Sequence, residues 1–129
     1  MSQSSHRDVE IVFTETVEEA AAIVILDVRR REGRIVVPVV AEWGPHYAAL
    51  ARGRRVFMAT PNDWPGDKTA KKWGEDAWRA GAVDVLRERS PGSRTWCEAL
   101  DKGRTHISTV TPSRQSDARK GRVMRNVRR

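Results

Sequence analysis

The sequence has a single cysteine and no long apolar run, and both absences exclude classes of protein. Cys97 alone cannot form an internal disulfide or a cysteine-rich zinc site, and one cysteine is typical of the reducing cytosol. No stretch approaches the roughly 20 apolar residues that span a bilayer, and the polar residues 1–8 lack the apolar core of a signal peptide. We therefore expect a cytoplasmic protein with no membrane partner.

Histidine and glycine are too sparse or too poorly spaced for two common kinds of site. His6, His46 and His106 lie far apart, so no two of them have the spacing of metal ligands. Residues 66–69 (GDKT) are similar to the end of a phosphate-binding loop, but the first glycine is missing and Asp67 would repel phosphate. A nucleotide-binding enzyme of this kind is disfavoured.

Positive charge is in excess, and it is concentrated near the C-terminus. Residues 113–129 contain seven basic residues and one acid, a net +6, which leaves +1 of the total +7 for residues 1–112. The basic residues are Arg114, Arg119, Lys120, Arg122, Arg125, Arg128 and Arg129. We expect residues 112–129 to be a disordered tail that contacts nucleic acid by releasing counterions from phosphates. A solvated tail that aids solubility is the alternative.

Short apolar runs alternate with amphipathic segments along the rest of the chain. We predict strands over residues 9–14, 34–40, 55–60 and 83–87, a last edge strand over 106–110, and helices over 16–31, 45–51, 68–80 and 93–102. This alternation predicts one α/β domain over residues 9–111, with residues 1–8 disordered. The expected architecture has three layers: a mostly parallel sheet of four to five strands, with helices on both faces.

Several residues carry specific structural predictions. Thr16 and Glu19 match a capping box at the start of the first helix, and Gly33 is placed to end that helix in the left-handed region. Pro38 lacks an amide donor and belongs at a sheet edge or bulge. The inner face of the first helix is predicted to be Ala21, Val24, Ile25 and Val28, widened by Ala20, Ile23 and Leu26. We expect Trp73 and Trp96 in the core, Trp78 partly exposed, and Cys97 buried as a small apolar residue rather than a nucleophile.

Carboxylates follow two of the predicted strands. Glu15 comes after the first strand, and Asp63 and Asp67 come after the third. The carboxyl ends of parallel strands meet at one edge of the sheet, where ligands bind, and magnesium prefers oxygen ligands. These residues therefore form a candidate magnesium site. The alternatives are a solvated Glu15 at a helix start, a turn-forming Asp63, and an Asp67 that caps the next helix.

The order of these motifs resembles the TOPRIM (topoisomerase–primase) domain, in particular its primase-like subgroup of phage and plasmid proteins. Residues 11–16 (IVFTET) look like the family's strand that ends in Glu-Gly, and residues 56–66 look like its strand that ends in Asp-x-Asp before a glycine. Residues 93–100 are similar to a downstream Lys-Asp-Trp-Asn-x-x-Leu segment, and the resemblance covers about residues 9–103. It implies that Glu15 is a catalytic general acid or base, and that an aspartate pair holds magnesium for phosphoryl transfer in a primase or mobile-element system.

Two departures from the family pattern bear on activity. Thr16 stands where the family has glycine, and Pro61 stands where it has the first aspartate. Proline cannot ligate a metal through its side chain, so magnesium affinity should be considerably weaker than in the family. Whether the protein catalyses phosphoryl transfer stays open at this point.

Residues beside the carboxylates are candidates for nucleic-acid contact. Lys68, Lys71 and Lys72 are predicted near the start of a helix, where they either face phosphate or form a solvated surface. Trp64 lies in the adjoining loop and could stack on a base. We expect DNA as the partner more than RNA. The alternative function is a non-catalytic accessory protein that uses the tail and the tryptophans to dock on nucleic acid or on a protein in a larger complex.

Overall fold

Four strands alternate with helices in the computed structural model, which describes the backbone of residues 9–109 and the side chains of residues 9–102. The elements are β1 (Ile11–Thr14), α1 (Val17–Arg30), β2 (Ile35–Pro38), α2 (Pro45–Ala48) with a following 3-10 helix (Ala49–Ala51), β3 (Arg55–Met58), α3 (Trp64–Arg79), β4 (Asp84–Arg87) and α4 (Trp96–Thr109). Along this part of the chain, no helix combines the length and the apolarity that crossing a bilayer requires. Residues 1–8 and the predicted tail, 112–129, lie outside the described residues.

All four strands are parallel, and their order in the sheet is β2-β1-β3-β4. Ile11 of β1 pairs with Ile35 of β2 on one side and with Val56 of β3 on the other. β2 is an edge strand, and Pro38 lies at its end opposite Thr14, so the predicted edge position of this proline is confirmed. The chain moves to one side of β1 for β2 and to the other side for β3, which creates a switch point between β1 and β3.

Two apolar layers cover the two faces of the sheet, as the three-layer prediction requires. Ile11, Phe13, Val56 and Met58 face the core beneath α2 and α3, which is completed by Trp73 and Ala77. Val12 and Phe57 face the opposite way, toward a core formed with Ile23, Trp96 and Leu100 of α1 and α4. Every residue of β1 is buried, as expected for a central strand covered on both faces.

The buried face of α1 differs from the predicted one. Ala20 and Ile23 are buried and Leu26 is half-buried, but the predicted inner residues Ala21, Val24, Ile25 and Val28 are exposed. The buried face instead includes two carboxylates, Glu19 and Asp27. Polar partners from other parts of the chain make this arrangement possible, because a buried carboxylate needs hydrogen bonds.

Glu19 obtains its partners from the start of α4. Its Oε1 accepts from the Trp96 N–H at 2.7 Å, and its Oε2 accepts from the Cys97 N–H at 3.1 Å. Half of the predicted capping box is confirmed, since Thr16 Oγ1 accepts from the Glu19 N–H at 3.1 Å. The other half is wrong: the Glu19 carboxylate caps α4 and not its own helix.

Asp27 obtains its partner from Arg34, just before β2. The Arg34 guanidinium binds Asp27 through two hydrogen bonds of 2.9 and 2.8 Å, binds Glu88 at 2.5 Å, and lies 5.0 Å from the centre of the Phe57 ring. Burial lowers the pKa of Arg34 while Asp27 and Glu88 raise it, and the net change is upward. This buried ion network links α1, β2 and the segment after β4 across one face of the sheet.

Gly33 is not the left-handed residue that ends α1, and the predicted end of the last helix at residue 102 is wrong. α1 ends at Arg30, and Arg31 (φ 60°) adopts the left-handed conformation that was expected of Gly33. α4 continues through Gly103 to Thr109, so the predicted edge strand from residue 106 is helical as far as 109, and Val110 lies outside the described residues. A glycine inside a helix costs only about 1 kcal/mol relative to alanine, which continued helical hydrogen bonding can offset.

Candidate functional site

The switch point brings together the loop after β1 and the loop after β3. Glu15, half-buried, follows β1, and Asp63 follows β3 at the beginning of α3. Because β1 and β3 are neighbours in the sheet, these two carboxylates lie at adjacent strand ends. This is the crevice in which open parallel sheets bind ligands.

Asp63 is the N-terminal cap of α3. Its Oδ1 accepts from the Gly66 N–H at 2.7 Å, and its Oδ2 pairs with Arg94 Nη1 at 2.6 Å. The Gly66 hydrogen bond and the Arg94 guanidinium hold the pKa of Asp63 below its usual range. α3 therefore begins at Trp64 and not at residue 68, and the interpretation of Asp67 as the cap is wrong.

The turn into α3 is too tight for any side chain at residue 66. A Cβ atom on Gly66 would overlap the carbonyl oxygen of Pro61 and lie 2.9 Å from Asp63 Oδ1. The buried hydroxyl of Thr60 donates to the Gly66 carbonyl at 2.6 Å from the other end of the turn. Glycine at this position allows the loop to close on the first turn of the helix.

Asp67 lies in the first turn of α3 and binds two arginines. Its Oδ1 accepts from Arg87 Nη2 at 2.9 Å and lies 3.0 Å from Arg89 Nη1. The hydrogen bond from Arg87 is the main cause that holds the pKa of Asp67 below its usual range. Asp67 is thus neutralised by cations from β4 and the segment that follows it.

Arg87 also binds the backbone at the end of β3. It donates to the carbonyls of Met58, Thr60 and Pro61 at 3.1, 2.9 and 2.8 Å. Burial lowers the pKa of this guanidinium, which remains charged because arginine titrates far above neutrality. Arg87 was not among the residues predicted from the sequence, although a basic residue at the carboxyl end of a predicted strand was an available signal.

Asn62 joins this loop to residues 90–94. Its Nδ2 donates to the carbonyls of Ser90 and Ser93 at 2.9 and 2.8 Å, and its backbone N–H donates to the Arg94 carbonyl at 2.7 Å. These bonds fix Arg94 beside Asp63. Asn62 was also missed, because the partners that give it a role are 28 to 32 residues away.

Two of the three predicted metal ligands, Asp63 and Asp67, are already bound by other groups of the chain. Both oxygens of Asp63 are engaged, Asp67 is bound by two guanidiniums, and Pro61 offers no side-chain ligand. Within residues 9–102, no group of three Asp, Glu, His or Cys side chains converges in a way that could hold a metal. The magnesium site stays a prediction, and no catalytic step is derived from it.

An exposed aromatic ring and several cations border the same loops. The Trp64 side chain is 70% exposed, and Lys68 Nζ lies 4.7 Å from the centre of its ring. The Arg94 and Arg89 side chains are 59% and 45% exposed. We call Trp64, Lys68, Arg89 and Arg94 the loop surface.

The other predicted contact residues lie farther along α3 or outside the described chain. Lys72 pairs with Asp76 at 3.4 Å farther along α3. Lys71 lines an open groove of about 810 Å³ between α3 and β4, together with the exposed Trp78. The seven basic residues between Arg114 and Arg129 are not among the described residues.

The predictions for three tryptophans agree with the structure, whereas Cys97 is half-buried and not fully buried as predicted. Trp73 and Trp96 are buried, and Trp78 is exposed. Burial, followed by the neighbouring Glu19, raises the pKa of the Cys97 thiol to about 11, which makes it a poor nucleophile. His46 packs against the ring of Tyr47.

Comparison with known proteins yields no relative: no protein-family profile, no curated protein and no solved structure matches the chain. The TOPRIM resemblance therefore depends only on the residues that carry it, and it stays a prediction.

Proposed function

We propose that the protein is a non-catalytic nucleic-acid-binding protein whose loop surface contacts the ligand. The observation that carries the proposal is the exposure of Trp64 beside Lys68 and the Asp63-bound Arg94. An exposed indole flanked by cations can stack on a base while the cations contact the adjoining phosphates. The basic residues between 113 and 129 supply further phosphate contacts.

The arginines of the loop surface are held in place and still retain hydrogen-bond donors. Arg94 binds Asp63 through Nη1, and Arg89 contacts Asp67 through Nη1. A guanidinium carries five N–H donors, so each arginine can bind its carboxylate and a phosphate together. This pairing supports binding in preference to catalysis, because the carboxylates serve to orient arginines.

The first test compares two tryptophans that lie on the same helix. Binding of a labelled single-stranded oligothymidylate is measured by fluorescence anisotropy for wild type, Trp64→Ala and Trp78→Ala. Trp64→Ala is expected to raise Kd by about tenfold, since stacking contributes about 1–3 kcal/mol per base. Trp78 is 61% exposed but lies about 21 Å farther along α3 than Trp64, so its variant should bind like wild type. Equal affinity of both variants and wild type contradicts a role for the loop surface.

The tail is tested by the salt dependence of binding. Each phosphate contact contributes about 0.7 to the slope of log K against log salt for single strands. Deletion of residues 113–129 should therefore flatten the slope, while the remaining affinity still depends on Trp64. An unchanged slope would show that the tail does not contact phosphates. Kd is also compared for DNA and RNA oligonucleotides of the same sequence. A lower Kd for DNA is expected, and a lower Kd for RNA would contradict the expected preference.

A second candidate function is the magnesium-dependent phosphoryl transfer that the TOPRIM resemblance implies. The position of Glu15 and Asp63 at adjacent strand ends favours it. Titration of magnesium into wild type and a Glu15→Gln/Asp63→Asn variant tests the site. Magnesium binding by wild type but not by the variant would support the site. Identical binding by the two proteins, or no binding by either, would contradict it.

A further inference from the structure

The outer face of α1 is apolar and has no partner within the described residues. Val17, Val24 and Val28 are 55%, 45% and 69% exposed, and Ala21 is also exposed. Their spacing of four, three and four residues places them in one line along the helix. We call these four residues the α1 stripe; Ile25, 40% exposed, borders it.

The part of the fold that the structure describes does not cover this stripe, because α1 packs through its other side. Ala20, Ala22 and Ile23 face the sheet, and Glu19 and Asp27 are bound by α4 and Arg34 on that same side. Rotation of the helix to bury the stripe would expose these satisfied carboxylates and break their bonds. A line of exposed valines on a helix in water is typical of an interaction surface.

We propose that the α1 stripe is the interface of a symmetric dimer in which α1 packs antiparallel against α1 of a second copy. The spacing of four, three and four is unchanged when the helix direction is reversed. Val17 of one copy then meets Val28 of the other, and Ala21 meets Val24. The small side chain of Ala21 allows the two helices to approach closely.

The charges that flank the stripe select this antiparallel arrangement. Glu18 lies in the first turn of α1 and Arg29 in the last, and both are exposed. On an ideal helix, 11 residues at 100° each bring them within about 20° of one another, so they border the same side of the stripe. Antiparallel packing brings Glu18 of each copy to Arg29 of the other, whereas parallel packing places these residues on opposite sides of the interface and forms no such pair.

Sedimentation of the full chain over a range of concentrations tests the dimer. Wild type is expected to have twice the monomer mass, and Val24→Glu is expected to be monomeric, since the new charge would be buried in the interface. Val83→Glu is the control, because Val83 is 62% exposed and precedes β4, away from α1. A monomeric wild type at every concentration, or dimers of Val24→Glu as stable as wild type, would overturn the proposal.

A charge exchange tests the direction of the two helices. Glu18→Arg and Arg29→Glu should each raise the dimer Kd by about tenfold, because each places like charges opposite one another. The double variant Glu18→Arg/Arg29→Glu should restore the wild-type Kd. Rescue supports the antiparallel pairing, and failure of rescue overturns it. Circular dichroism of each variant confirms that a change in mass is not caused by unfolding.

Discussion

At the scale of single residues, the tight turn into α3 depends on Gly66. We predict that Gly66→Ala lowers the free energy of unfolding by about 3 kcal/mol, because the added methyl group must displace the Pro61 carbonyl or open the first turn of the helix. Urea denaturation followed by tryptophan fluorescence measures the change.

Gly33→Ala is the control, because a Cβ at residue 33 meets no atom within 4 Å and its backbone is not left-handed. This variant should stay within about 1 kcal/mol of wild type. Similar losses in the two variants would show that the close approach at Gly66 is not the cause.

The role of a single side chain could be predicted from the sequence only where its partners lie close to it along the chain. Trp64 was predicted in a loop beside Pro65 and Gly66; it is the first residue of α3, and its side chain there is exposed. The role of Arg87 was not predicted, because its side chain acquires its partners only when β4 lies beside β3. The residues around Arg87 in the sequence do not indicate that β4 pairs with β3.

At the scale of elements, Glu19 links the first and last helices. We predict that Glu19→Gln lowers the free energy of unfolding by about 2 kcal/mol, since the amide keeps one acceptor oxygen but loses the charge that accepts from two N–H groups. Glu42→Gln, at an exposed position outside the helices, is the control and should change stability by less than about 0.5 kcal/mol.

The same variant has a chemical readout. The Glu19 carboxylate helps to raise the pKa of Cys97 to about 11, so its neutralisation should lower that pKa and increase the thiolate fraction. Alkylation of the folded protein by iodoacetamide near pH 8 should therefore be faster in Glu19→Gln than in Glu42→Gln. Equal rates would contradict the contact between Glu19 and the start of α4.

The element order and helix positions followed from apolar periodicity, but the orientation of α1 did not. Val17, Val24 and Val28 form one apolar line, and Ala20 and Ile23 form another. Periodicity alone favours the line with larger side chains. The structure buries the other line, because Glu19 and Asp27 find partners there that lie 77 and 7 residues away.

At the scale of the whole molecule, three aspartates join α3 to separate parts of the chain. Asp63 binds Arg94 after β4, Asp67 binds Arg87 of β4, and Asp76 accepts from the Trp43 indole N–H at 2.9 Å. The pKa of each carboxyl is held below its ordinary value by these and nearby hydrogen bonds. The charged forms therefore stabilise the fold.

This arrangement predicts a loss of stability in acid. A carboxyl whose folded pKa is depressed contributes fully above the unfolded pKa of about 4 and loses that contribution as the pH falls through the lower folded value. The melting temperature should therefore fall between about pH 5 and pH 2. Asp76→Asn should reduce the size of this fall, and the exposed neighbour Glu75→Gln should leave it unchanged. An equal fall in wild type and Asp76→Asn would contradict a contribution from Asp76.

The strand order β2-β1-β3-β4 also determines how much of the chain must be synthesised before the fold can be completed. β1 is translated first and is central, and it gains its second neighbour only when β3 has emerged. The Glu19 carboxylate on α1 must wait longer, for the Trp96 N–H that lies 77 residues downstream. Until the N–H groups at the start of α4 are available, the Glu19 carboxylate of the nascent chain has no hydrogen-bond donors from that helix. Its burial on the core-facing side of α1 is then unfavourable, because the charge loses its hydration without compensation. Completion of folding is thus tied to the emergence of α4 from the ribosome.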